Sequence, residues 1–295
     1  MSNRAPQAAD KNYLEYINLN DKSIYFNRMK NMPANYYHWH QCVEILSISQ
    51  GVGIALMENQ QYTVKPGRLF IFPPGKIHKV FVEQDARNVY HRTTLHFNRT
   101  VIDQYLRDFP RQQMLLRQLC AHGEKARVFD VSDEQPVIEA LLARFETLSK
   151  SDSFNISDSA FLIMQLLSLL PHEEVERGHN TFSASVIRWI ENHFHQRCTL
   201  EDIAAEMGCS RGHASRRFHA ETGGTIQEYL MMRRIRQACD LLLHSADSVR
   251  EIAEQVGFPE YAWFITCFRK NMGKTPLQYR KAYSPSGGRA SMTQR

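Results

Sequence analysis

No two of the six cysteines form a CxxC pair; they stand at positions 42, 120, 198, 209, 239 and 267. That spacing excludes a zinc finger and a disulfide framework and leaves scattered reduced thiols. No apolar run reaches the roughly 18 residues that a membrane span needs. The first residues, MSNRAPQAADKNY, lack the apolar core of a secretory signal, so a cytoplasmic location without membrane attachment is expected. Low complexity is confined to residues 284–295, where Ser, Gly and Arg dominate and disorder is expected. Apolar residues are not scarce. The chain is 43% hydrophobic and 11% aromatic, which excludes a disordered protein, and its 295 residues suggest two domains.

The net charge is only +5, but it is unevenly spread. The first 182 residues hold equal numbers of basic and acidic side chains, so the whole excess lies beyond them. That asymmetry agrees with a nucleic-acid partner for the C-terminal part, although solvated faces often carry as much.

From about residue 13 to 97, short β-branched and aromatic runs alternate with turn residues. Strands are predicted at 13–19, 23–29, 43–49, 53–57, 61–64, 68–72, 78–82 and 89–97. Strands this short and this closely spaced suggest a barrel or jelly roll. His38, His40 and Glu44 are all even-numbered, and on a continuous strand they share one face. Two imidazoles and a carboxylate converging from one face are metal-ligand chemistry. Equally, they can be hydrogen-bonded lining of an organic-ligand pocket. His78, after Gly67, Pro73 and Gly75, is a fourth candidate. Tyr36, Tyr37, Trp39 and Arg92 could add stacking and hydrogen bonds of the kind a sugar needs.

This arrangement resembles the cupin barrel. The first cupin motif is matched by His38-Trp39-His40, Glu44 and Gly51, and the second by Gly67, Pro73-Pro74-Gly75 and His78. The match departs at Met32, where the first motif opens on Gly, and at Val82, where the second closes on Asn. The resemblance implies a small barrel with His38, His40, Glu44 and His78 pointing inward, holding a divalent metal or a metal-free organic ligand.

After residue 97 the period becomes helical. Helices are predicted at 101–120, interrupted at Pro110, and at 134–149 and 155–170. The last is apolar on more than one face, which asks for burial within the chain or against a second subunit. Residues 171–182 are polar and edged by Pro and Gly, and read as a linker.

Beyond the linker one pattern occurs twice. Thr199, Ile203, Ala204 and Gly208 reappear 49 positions later as Ser248, Ile252, Ala253 and Gly257. Each copy reads as a capped helix, a glycine turn and a second helix, the layout of a helix-turn-helix. Capping boxes are expected at Thr199 with Asp202, Thr225 with Glu228 and Ser248 with Glu251. The second helices, predicted at 211–221 and 260–271, would anchor inward through Ala214 and Phe218 and through Phe264 and Phe268. A long helix opening at Thr225 would join the two heads.

A doubled head with a capped connector resembles the DNA-binding domain of the AraC/XylS family of transcription regulators. The resemblance spans residues 183–283 and includes Gly257-Phe258, Phe264, Phe268-Arg269-Lys270, Gly273, Thr275-Pro276 and Tyr279-Arg280. It implies base reading by Arg211, Gly212, Ser215 and Arg216 in the first head and by Tyr261, Ala262, Ile265 and Thr266 in the second. Arg217 would be a further DNA contact, to the backbone. Many family members carry Arg where Thr266 stands, so the first head is expected to discriminate more.

The expected chain is thus α+β with two domains. A cupin-like barrel (1–100) with a helical sensor or dimerisation segment (101–170) and a linker (171–182) precedes an all-α double helix-turn-helix domain (183–283) and a tail (284–295). The resemblance implies a ligand-responsive, sequence-specific regulator of double-stranded DNA, not an enzyme. It would be an activator touching RNA polymerase, with a sugar or other small catabolite as effector and a homodimer as an available assembly. The alternatives are a repressor, or a metal-dependent cupin enzyme fused to a DNA-binding domain.

Overall fold

The computed structural model describes residues 13–19, 23–31, 36–57, 60–82, 89–175 and 181–283. Met32, part of the expected linker and the tail 284–295 lie outside the described residues. The chain divides into two compact units, residues 15–180 and residues 181–295 together with 1–14.

In the first unit, Ile24–Lys30 (β1), Val43–Gln50 (β2), Gly53–Met57 (β3), Gln60–Val64 (β4), Arg68–Phe72 (β5), His78–Phe81 (β6), His91–Phe97 (β7) and Arg127–Asp130 (β8) form two antiparallel sheets. The larger has the order β1-β7-β2-β5-β8 and the smaller β4-β3-β6. The ladders therefore make two facing sheets rather than one closed barrel. Alternation assigns each side of the larger sheet. Leu46, Ile48, Phe70 and Phe72 meet Ala55, Met57, Val64 and Val80 of the smaller sheet in one apolar cluster. Val43, Ile45, Leu69, Ile71, Leu95 and Phe97 point the other way and are covered by helices.

Those helices are Arg99–Tyr105 (α1), Pro110–Cys120 (α2), Gln135–Leu148 (α3) and Ile156–Ser168 (α4). Pro110 begins α2 rather than kinking one long helix, because a residue without an N–H fits the first turn. Asn155 and Asp158 cap α4 reciprocally. Both apolar sides of α4 are largely used within the chain, with Leu162, Ile163, Leu166 and Leu167 buried, while Phe161 remains exposed.

Two strand expectations fail. Residues 15–19 form no strand; they are held by the Gln41 side chain, which donates to the Ile17 carbonyl and accepts from its N–H. Residues 38–44 are not one continuous strand either. His38 pairs with His78 through a two-way backbone bridge, the chain bends at Gln41 and Cys42, and β2 starts only at Val43.

The second unit is helical: Phe182–His193 (α5), Leu200–Glu206 (α6), Arg211–Thr222 (α7), Ile226–His244 (α8), Val249–Gln255 (α9), Tyr261–Met272 (α10) and Pro276–Tyr283 (α11). The three expected capping boxes are all formed, at α6, α8 and α9, each supporting its helix by about 1 kcal/mol. Phe218, Phe264 and Phe268 are fully buried, and truncating any one of them would cost about 3–5 kcal/mol.

Candidate functional site

Two regions carry the chemistry. The first is the exposed side of α7 and α10. On α7, Ala214 and Phe218 face the core, while Arg211, Gly212, Ser215 and Arg216 are exposed. Arg211 is paired with Glu201 of α6. Arg216 makes no ion pair among the described residues. Its guanidinium folds back over Gly212, where an added Cβ would lie 3.2 Å from Nη1. Arg217 has other employment: it donates to Glu221 and lies 4.8 Å above the Phe182 ring of α5. It is thereby engaged with α5 while its side chain stays about half exposed.

On α10, the ring contacts Phe258–Phe264, Phe264–Phe268 and Phe268–Tyr279 fix the inner side. Tyr261, Ala262 and Thr266 are exposed and Ile265 is half-buried. The Thr266 hydroxyl donates to the Ala262 carbonyl at 3.0 Å, one turn back, so its proton is already used within the helix. A cation nevertheless stands nearby, because Arg250 of α9 lies 4.9 Å over the Tyr261 ring. The connector α8 is bonded toward both heads. Tyr229 and Arg233 donate to Glu191 of α5, and Arg234 donates to the Phe194 and Gln196 carbonyls at the end of α5. Arg280 of α11 donates to the Leu242 and Asp247 carbonyls.

The second region lies inside the first unit. His38, His40, Glu44 and His78 are buried, and their ligand atoms lie within 4.8 Å of one another. Each imidazole donates from Nδ1 to a backbone carbonyl: His38 to Tyr36, His40 to Glu15 and His78 to Lys76. A carbonyl can only accept, so these bonds assign the Nδ1 proton and turn each Nε2 inward. Phe72 stacks on the His78 ring, with centroids 3.9 Å apart. Glu44 Oε2 sits 2.9 Å from His40 Nε2 and 3.1 Å from His78 Nε2. Even so, His40 Nε2 and Glu44 Oε2 are not aligned as a hydrogen bond, and neither atom has a hydrogen-bond partner among the described residues.

Burial opposes charge on His38, His40 and Glu44. It drives His38 well below the usual histidine range, helped by His78 and His40. At His40 burial is outweighed by the Glu44 carboxylate, and the ring is raised. At Glu44 burial is outweighed by His96 and His40, and the carboxyl is held well below its usual range. A neutral ring bonded through Nδ1 presents a bare lone pair at Nε2. Lone pairs facing a carboxylate repel until a proton or a cation lies between them. The donor set, three imidazoles and one carboxylate, therefore fits a first-row divalent ion.

The comparisons with known proteins cover both units. The profile of the AraC-like ligand binding domain matches residues 29–167, and that of a helix-turn-helix domain matches residues 203–282. The chain belongs to the AraC family of transcription regulators. The HTH-type transcriptional activator RhaS of Escherichia fergusonii is 29% identical over 258 residues, 84% of this chain and 88% of its own. The uncharacterized HTH-type transcriptional regulator YdeC of Bacillus subtilis is 26% identical over 84% of this chain and 86% of its own. The solved C-terminal domain of AraT, a response regulator from Geobacillus stearothermophilus, is 31% identical over 39% of this chain and 92% of that domain, with a TM-score of 0.35.

In this AraC-family regulator the second unit is the DNA-binding domain and the first is the sensor. Three cationic or imidazole groups add to the residues expected from the sequence. Arg250 brings positive charge to the second head. Arg234 is a buried cation that ties the connector to the end of α5. His96 of β7 stands beside Glu44, with Nε2 and Oε2 3.8 Å apart. The sequence did carry a signal for His96: along β7, Arg92, Thr94 and His96 alternate with Thr93, Leu95 and Phe97, marking a strand polar on one side.

Proposed function

We propose that this regulator activates transcription when a small molecule binds between the two sheets of its sensor unit, beside a divalent ion held by His38, His40, Glu44 and His78. The observation that carries this reading is a row of buried polar atoms without partners on the inner side of β7 and the segment entering it. Tyr90 Oη, Arg92 Nε, Thr94 Oγ1 and both nitrogens of His96 have no hydrogen-bond partner among the described residues. Unpaired polar groups in an otherwise apolar interior are costly unless a ligand satisfies them. When bound, the ion would offer a Lewis-acid position for a ligand oxygen. The ligand then needs a different affinity for two arrangements of the protein, and through that difference it changes how the two heads meet DNA. The name of the RhaS relatives supports activation, and activation implies contact with RNA polymerase. A homodimer on paired half-sites suits a regulator of this layout.

The test is a genome-wide binding map read together with transcript levels in a deletion strain. Genes beside bound sites should lose expression in the deletion; a gain would identify a repressor. Elemental analysis of the purified protein should find about one first-row divalent ion per chain. The same four ligands would serve a cupin enzyme, so consumption of a substrate by the metal-loaded protein would favour that reading instead.

A further inference from the structure

Antiparallel pairing sets Tyr25, His96, Glu44 and Phe72 in one row across β1, β7, β2 and β5. Glu44 and His96 are direct cross-strand neighbours, so their side chains leave the same side of the sheet with Cβ atoms about 5 Å apart. His96 is 4% exposed. Its ring centroid lies 4.6 Å from that of His40. Unlike the other three imidazoles, neither of its nitrogens has a hydrogen-bond partner among the described residues, so no described backbone carbonyl fixes the ring.

Ligand spacing is the useful measure. With metal–nitrogen bonds of about 2.1 Å, neighbouring donor atoms lie about 3.0 Å apart in an octahedron and about 3.4 Å apart in a tetrahedron, and opposite ones about 4.2 Å. The separations of 2.9 and 3.1 Å from Glu44 Oε2 to His40 and His78 are neighbour distances of the octahedral kind. The 3.8 Å separation to His96 falls between neighbour and opposite positions, and an unbonded ring can turn to close it.

We propose that His96 is a fifth protein ligand of the metal, contributed by β7 from outside the histidine and glutamate pattern of residues 38–78. This rests on the metal reading above and adds a coordination number to it. Five protein donors exceed the four of a tetrahedral zinc site. They suit an ion that accepts six ligands, such as Mn(II), Fe(II), Co(II) or Ni(II), with one position left for an oxygen of the effector. His96 also stands two residues from Thr94 and four from Arg92 on the same side of β7. An effector oxygen on the metal therefore lies at the head of that polar row.

The test uses the full-length protein stripped of metal and titrated with Co(II). X-ray absorption should count four imidazoles in the wild type and three in His96→Ala. The wild type should show the weak visible bands of five- or six-coordinate Co(II), and His96→Ala should bind roughly 10–100-fold more weakly. An unchanged circular dichroism spectrum would establish that the variant folds. If it does not fold, the imidazole count of the wild type decides alone. Three imidazoles in the wild type, or Co(II) affinity and spectrum unaltered by His96→Ala, would overturn the proposal and leave the four-residue site standing. No Co(II) bound by the wild type at millimolar concentration would overturn both.

Discussion

The two turn glycines of the duplicated heads make a matched pair. Gly208 and Gly257 both have positive φ, +64° and +84°, so alanine at either position carries the left-handed strain of about 1–2 kcal/mol. Their surroundings differ. An added Cβ at Gly208 meets nothing within 4 Å among the described residues, whereas at Gly257 it would lie 2.5 Å from the Phe194 carbonyl oxygen and 3.0 Å from the carbonyl of His195. Backbone must move to admit it. The Phe194 oxygen is also the acceptor for the buried Arg234 Nε at 2.8 Å. Displacing it endangers a hydrogen bond to a charged group, typically worth about 1.5–3 kcal/mol. Gly208→Ala should therefore destabilise the DNA-binding unit by about 1–2 kcal/mol and Gly257→Ala by about 3–5 kcal/mol. Hydrogen exchange with mass spectrometry on the full-length protein reads this directly, through the protection of α8 and α10 amides. The second substitution should cut their protection by at least tenfold more than the first. Equal losses would refute the reasoning, because backbone strain alone would then explain both.

Other outcomes follow from the same geometry. Arg216→Ala should weaken binding to the cognate site by about 1–3 kcal/mol and relax preference at one base pair, while Thr266→Ala, whose proton is already used within α10, should cost less; reversed losses in quantitative footprinting would contradict this. Arg250→Ala should weaken binding on all sequences alike and lower the salt dependence by about one ion, whereas Arg217→Ala should lower thermal stability and leave the salt slope unchanged. The metal-free sensor should lose stability as pH falls below about 6.5. Burial, foremost, lowers the histidine at 96 to about 3, and burial with neighbouring rings lowers that at 38, so the unfolded chain takes up protons that the folded one refuses. His40, which is raised, contributes fully below 6.5 and is lost only above it, and Glu44 keeps its contribution until pH falls through its depressed value. Two protons bound on unfolding set an upper slope of roughly 2.7 kcal/mol per pH unit, checked by urea midpoints between pH 5 and 6.5, where a flat profile would contradict the assignment.

What could be read from the sequence depended on the range of the interaction. Capping boxes and aromatic anchors four residues apart are contacts within one turn of helix, so Thr199, Thr225, Ser248, Phe218, Phe264 and Phe268 declared the doubled head without any knowledge of tertiary structure. Pro110 opens α2 after a break at 106–109, and α10 begins at Tyr261, one residue after the expected start at 260. In the sensor unit the motif residues are legible, but alternation along one strand is not what brings them together. His38 and His40 do not reach Glu44 by alternation along one strand; the His38–His78 bridge and the bend at Gln41 and Cys42 bring them there. β8 carries no local signal, because its four residues pair with β5 across more than fifty residues of chain. His96 is the sharpest case. Its alternating polar neighbours were in view, yet whether it faces Glu44 or lies two residues away depends on the pairing of β7 with β2. That register is set by apolar neighbours on the opposite side of the sheet, Leu95 against Ile45 and Phe97 against Val43. The same packing that holds the helices against the larger sheet thus determines which imidazole meets the carboxylate. A one-residue slip would turn His96 toward the helices and Leu95 toward the charged centre, and both changes would be costly.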